Sequence, residues 1–75
     1  MSNSQDTQVL LGLASAALQS GDLEKAVQLY GSLVDRQPGF AEGFYKRGNA
    51  YNRMGRLAAA LADYDRAVAL DPSHA

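Results

Sequence analysis

With 75 residues, no cysteine, and seven basic against eight acidic side chains for a net charge of −1, the chain is one small domain at most, held by neither disulfides nor a thiolate metal site. The balanced charge, with no local run of one sign, excludes the electrostatic footprint that holds nucleic acid or anionic lipid. Any core is thin at this length, and apolar burial has to offset an ordering cost on the order of 110 kcal/mol without staples.

Residues 1–6 read as a disordered N-terminal tail. The first helix is predicted over about 6–19. Its apolar run from Val9 to Leu18 is half of the roughly 20 residues that cross a bilayer. Ala14-Ser15-Ala16 has the form of a cleavage site, but Met1 to Gln8 holds Asp6 and no Lys or Arg, so no signal peptide is assigned. Gly21 ends this helix, because glycine enters the left-handed region without steric cost. Asp22 then caps a second helix over about 22–36, with Pro38 beyond it as a stop. A third helix over about 41–54 carries Glu42 and Lys46 in the favourable i,i+4 order and ends at Gly55. The fourth covers about 56–70, where Arg56 cannot cap, the Ala-rich stretch Leu57 to Ala62 suits close packing, and Asp71-Pro72 closes the run.

Catalysis needs a nucleophile, base and orienter, or metal ligands at fixed spacing. None can be assembled here. The only histidine, His74, lies in the C-terminal tail. Asp63 and Asp65 point about 200° apart on a helix. Met1 and Met54 are too few for a soft-metal site, and the seven glycines form no phosphate loop. The expectation is a protein that is not an enzyme and uses no cofactor.

Offset by 34 residues, the chain matches itself: Ala16 with Ala50, Gly21 with Gly55, Leu23 with Leu57, Ala26 with Ala60, Tyr30 with Tyr64, Val34 with Val68 and Pro38 with Pro72. The matches fall at apolar helical positions and at the residues that punctuate helices, so 7–40 and 41–74 are two copies of one helix pair.

The second copy reads Phe44-x2-Arg47-Gly48-x2-Tyr51, then Ala60-x3-Tyr64, Ala67 and Pro72. The first reads Leu10-x2-Leu13-Ala14-x2-Ala17, Ala26-x3-Tyr30 and Pro38. This resembles the signature of the tetratricopeptide repeat family: an aromatic, Leu-Gly, Tyr, Ala, a second aromatic and Pro. The resemblance covers Thr7 to His74 and implies an all-α superhelix of two helix-turn-helix units, four antiparallel helices in all. In that pattern Gly48, Ala14, Ala26 and Ala60 let helices approach, while Phe44, Tyr30 and Tyr64 fill the wedge between them. Arg47 departs from it, since the signature has Leu there. Its stem either covers apolar surface while the guanidinium reaches water, or it pairs with Asp63 or Asp65.

The resemblance also implies a function, the binding of a peptide or partner helix in a concave groove lined by the first helix of each repeat. Its groove positions carry over to Gln8, Leu11 and Ser15 in the first copy and to Glu42, Tyr45 and Asn49 in the second, with Asn52 one turn on. Asn49 is the leading candidate, since an amide can both donate to and accept from a peptide backbone. Some members grip a chaperone's C-terminal carboxylate with basic and Asn side chains. Tyr45 stands here where that clamp has Lys, and Leu11 and Ser15 fill the corresponding first-copy places, so a mixed apolar and polar ligand is expected instead.

Nothing after His74 resembles the helix that covers the last repeat in this family, which leaves Leu61, Val68 and Leu70 partly bare. The alternative expectations are therefore a homo-oligomer formed through these residues or through the first helix around Leu10 and Leu11, or the opening of a longer repeat scaffold. The expected partners are protein or peptide, with no nucleic acid and no membrane. The lack of cysteine fits the cytoplasm.

Overall fold

The computed structural model describes residues 3–74, with side chains for residues 6–73. Four helices follow one another, α1 (Asn3–Ser20), α2 (Leu23–Arg36), α3 (Ala41–Arg53) and α4 (Leu57–Leu70), and a 3₁₀ turn at Pro72–His74 ends the described chain. Among the described residues there is no strand.

Two glycines make the same turn twice. Gly21 and Gly55 hold φ at +86° and +83°. In each turn the next residue's N–H reaches back five residues, Asp22 to the Ala17 carbonyl and Arg56 to the Tyr51 carbonyl, both at 2.9 Å. Asp22 caps α2 by accepting from the Lys25 N–H at 3.4 Å. Arg56 offers α4 no side-chain cap. The second stop also repeats, as Gln37 N–H bonds the Leu33 carbonyl and Asp71 N–H bonds the Ala67 carbonyl just ahead of each proline.

One boundary departs from expectation. α1 begins at Asn3, inside the segment 1–6 that reads as a disordered tail. Asp6 sits in the first turn, where a negative charge favours the helix dipole. The turn is also tied to the end of α2: Asp6 lies 3.9 Å from Arg36, and Gln37 Nε2 donates to Thr7 Oγ1 at 3.5 Å. Met1 and Ser2 lie outside the described residues.

The helices pack in chain order, α1 on α2, α2 on α3, α3 on α4. Ala14, Ala17, Ala26, Tyr30, Leu33 and Ala50 form the buried cluster, with Leu10, Leu11, Leu18, Val27, Leu29 and Phe40 around it. Small residues dominate because helix backbones approach closely only where side chains are short. Tyr30 and Leu33 are its largest fully buried side chains. Tyr64 and Phe44, expected in the same wedge, are half-buried.

α4 is attached differently. Its buried residues are Ala60, Asp63 and Ala67. Of the two acids open to Arg47, Asp63 takes it in a two-pronged pair, Nε to Oδ2 and Nη2 to Oδ1, both at 2.8 Å. The Asp63 hydrogen bond raises the guanidinium's pKa further, against the opposing effect of burial. Arg47 also lies over the Phe44 and Tyr51 rings at 5.7 and 5.9 Å, and Arg66 covers Phe44 at 5.8 Å. Beside this pair a Cβ on Gly48 would stand 2.8 Å from the Tyr64 ring, so only glycine fits there.

Candidate partner-binding groove

Steps of three and four residues bring Glu42, Tyr45, Asn49 and Asn52 to one face of α3, and Gln8, Leu11 and Ser15 to one face of α1. Gln8, Glu42 and Asn52 are exposed, whereas Leu11, Ser15, Tyr45 and Asn49 are half-buried. Both helices rest on α2, whose Tyr30 is fully buried in the core cluster. Burial raises the pKa of its hydroxyl, nearby Ser15 of α1 lowers it in part, and the charge on Glu42 of α3 raises it again.

The Tyr30 hydroxyl has no hydrogen-bond partner of bonding geometry. Thirty-four residues later the tyrosine is satisfied, because the Tyr64 hydroxyl donates to Asn49 Oδ1 at 2.6 Å. Tyr45 packs against the Tyr64 ring, with centroids 5.7 Å apart and planes tilted by 48°. Burial raises the Tyr64 pKa, and Tyr45 adds to the rise. Asn49 stands where the first pair has Ser15.

Asn49 is therefore oriented, its carbonyl fixed toward α4 and its amide nitrogen left as a donor. Tyr64, expected only to fill the wedge between helices, joins the face through this bond. The signal was present in the residue type, since a tyrosine at a close helix contact needs a partner for its hydroxyl and a phenylalanine does not.

The two tyrosines should respond oppositely to loss of the hydroxyl. Tyr64→Phe removes a made bond and should cost about 1 kcal/mol. Tyr30→Phe removes an unmade one and should leave stability unchanged or raise it by about 1 kcal/mol. Urea denaturation of both variants measures this, and equal losses would contradict the assignment.

The expected association residues Leu61, Val68 and Leu70 are exposed on α4, at 61%, 45% and 38%. On α1 the expectation shifts: Leu10 and Leu11 pack against the core, and Val9 and Leu13 are the exposed apolar side chains. Among the described residues no three His, Cys, Asp or Glu side chains gather as metal ligands, and no helix is long and apolar enough to cross a membrane.

The sequence model for the tetratricopeptide repeat matches residues 11–75. An SGT1 homolog of Oryza sativa subsp. japonica is 37% identical over 60 residues, 80% of this chain and 16% of that protein. An FK506-binding protein-like protein of Mus musculus is 32% identical over 68 residues, 91% of this chain and 20% of that protein. The tetratricopeptide repeat and J domain-containing co-chaperone DNJ1 of Cryptococcus neoformans is 34% identical over 59 residues, 79% of this chain and 11% of that protein. The chain thus spans a fifth or less of the length of each of these relatives.

Proposed function

The chain belongs to the tetratricopeptide repeat family, and from that premise we propose that it is a non-catalytic protein-interaction module, with repeats at 7–40 and 41–74, that holds a peptide or partner helix across α1 and α3. The observation that carries this reading is the Tyr45–Tyr64–Asn49 cluster. It fixes an aromatic face and an amide donor on one side of α3, and both are suited to a peptide backbone flanked by apolar side chains. Leu11 and Ser15 extend the surface onto α1, and Gln8, Glu42 and Asn52 give it a polar rim.

Relatives that include a named co-chaperone support a role in assembling proteins. The side chains on this face do not supply a carboxylate clamp, because Tyr45, Leu11 and Ser15 stand where basic or amide groups would be needed. The ligand favoured is an internal peptide segment of mixed apolar and polar character. A random peptide library displayed on phage, selected on the immobilised chain, supplies the probe. Tyr45→Ala or Asn49→Ala should then weaken the selected peptide about tenfold with the helical signal unchanged. Equal affinity in the double variant would move the site off this face.

A further inference from the structure

The large exposed apolar side chains among the described residues all stand on the first and last helices, Val9 and Leu13 on α1 and Leu57, Leu61, Val68 and Leu70 on α4. The 34-residue repeat identifies what these faces are. α3 meets α2 at Gly43 and Arg47, and the spacing i, i+4, i+7, i+11 continues this stripe through the buried Ala50 to Met54 just past the helix. A Cβ on Gly43 would stand 2.9 Å from Val34 Cγ1, a Cβ on Gly31 would stand 3.5 Å from Arg47 Nη1, and Ala50 is fully buried. Thirty-four residues earlier the same stripe reads Val9, Leu13, Ala16 and Ser20, on the bare side of α1.

On α2 the residues that meet α3 are Val34 and Gly31, and the helical register carries their stripe on, antiparallel, through Val27 to Leu23. Its counterpart on α4 reads Val68, Asp65, Leu61 and Leu57, all exposed. The bare faces of α1 and α4 are thus the two halves of an interface that the molecule already builds once, between α3 and α2.

We propose that a second copy of this chain covers the α4 face, α1 of one copy lying on α4 of the next, head to tail. The pairing sets Leu61 opposite Ala16, at an open cleft of about 290 Å³ lined by Leu13, Ala16, Ala17, Ser20, Asp22 and Lys25. Two substitutions make this joint weaker than the internal one. Val9 replaces Gly43, where a side chain does not fit at the internal spacing, so the helices stand further apart. Asp65 replaces Gly31, and its carboxylate turns to water beside Leu13. The assembly is therefore reversible, and because each copy offers one face of each kind, it does not close at the dimer. This inference concerns the ends of the helix stack and stands without the groove reading.

Sedimentation equilibrium of the chain from about 10 to about 500 μM should show mass rising with concentration past the dimer. Leu61→Lys and Leu13→Lys should each be monomeric alone, and their equimolar mixture should recover a dimer and stop there, since only one pair of faces is intact. Val68→Lys and Val9→Lys repeat the two arms at second positions should a first variant lose its helical signal. A monomeric parent chain overturns the proposal. So does self-association kept by Leu13→Lys alone, which means a symmetric α4 contact, or kept by Leu61→Lys alone, which means a symmetric α1 contact.

Discussion

Arg47→Leu should destabilise the fold by about 3 kcal/mol or more, and adding Asp63→Leu should recover most of that loss. The single change leaves a carboxylate whose side chain is only 7% exposed without the guanidinium that bonds both its oxygens. A domain of this length has about 4 to 11 kcal/mol in all, so the variant loses a large share of it. The recovery is expected because the first helix pair places Leu13 and Leu29 where the second has Arg47 and Asp63. The equivalent positions of the first pair thus carry no charge, and that pair packs without an ion pair there. Urea unfolding of the three variants gives the comparison. A double variant as weak as the single would mean that the rings of Phe44 and Tyr51, not Asp63, are what Arg47 supports.

Gly48→Ala should cost about 1 to 3 kcal/mol, an unusual penalty for a residue in a helix interior, where alanine is otherwise the better choice. The new Cβ would stand 2.8 and 2.9 Å from two atoms of the Tyr64 ring and 3.3 Å from the Ala60 carbonyl, so the ring or α4 has to move. A shift of Tyr64 also pulls its hydroxyl from Asn49. The same variant should therefore weaken a groove-bound peptide even where it remains folded. Gly48→Ala at parent stability, read by thermal unfolding, would show that α3 and α4 are less closely packed than described.

Much of the fold was legible because glycine and proline act locally. Gly21, Gly55, Pro38 and Pro72 end helices for reasons confined to their own backbone, and the ends of α2, α3 and α4 fall within about a residue of expectation. Features set by packing were less legible. In α1 the run Val9-Leu10-Leu11-Gly12-Leu13 is apolar on almost every side, so periodicity alone did not separate the half-buried Leu10 and Leu11 from the exposed Val9 and Leu13. The choice of Asp63 over Asp65 depends on how α4 is turned toward α3, a tertiary fact. The contrast between the unpaired Tyr30 hydroxyl and the bonded Tyr64 hydroxyl is likewise set by tertiary placement. The groove stripes themselves came from family resemblance, and the local chemistry adds Tyr64 to them.

The most direct test is a titration of the ¹⁵N-labelled chain with a display-selected peptide, followed by amide shifts in two-dimensional NMR spectra. Groove binding predicts that the perturbed amides cluster at Leu11, Ser15, Glu42, Tyr45 and Asn49, with the Tyr64 ring environment changing alongside them. Shifts confined to Val9 and Leu13 or to Leu57, Leu61 and Val68, with the α3 face unmoved, would contradict the account and place recognition at the ends of the stack.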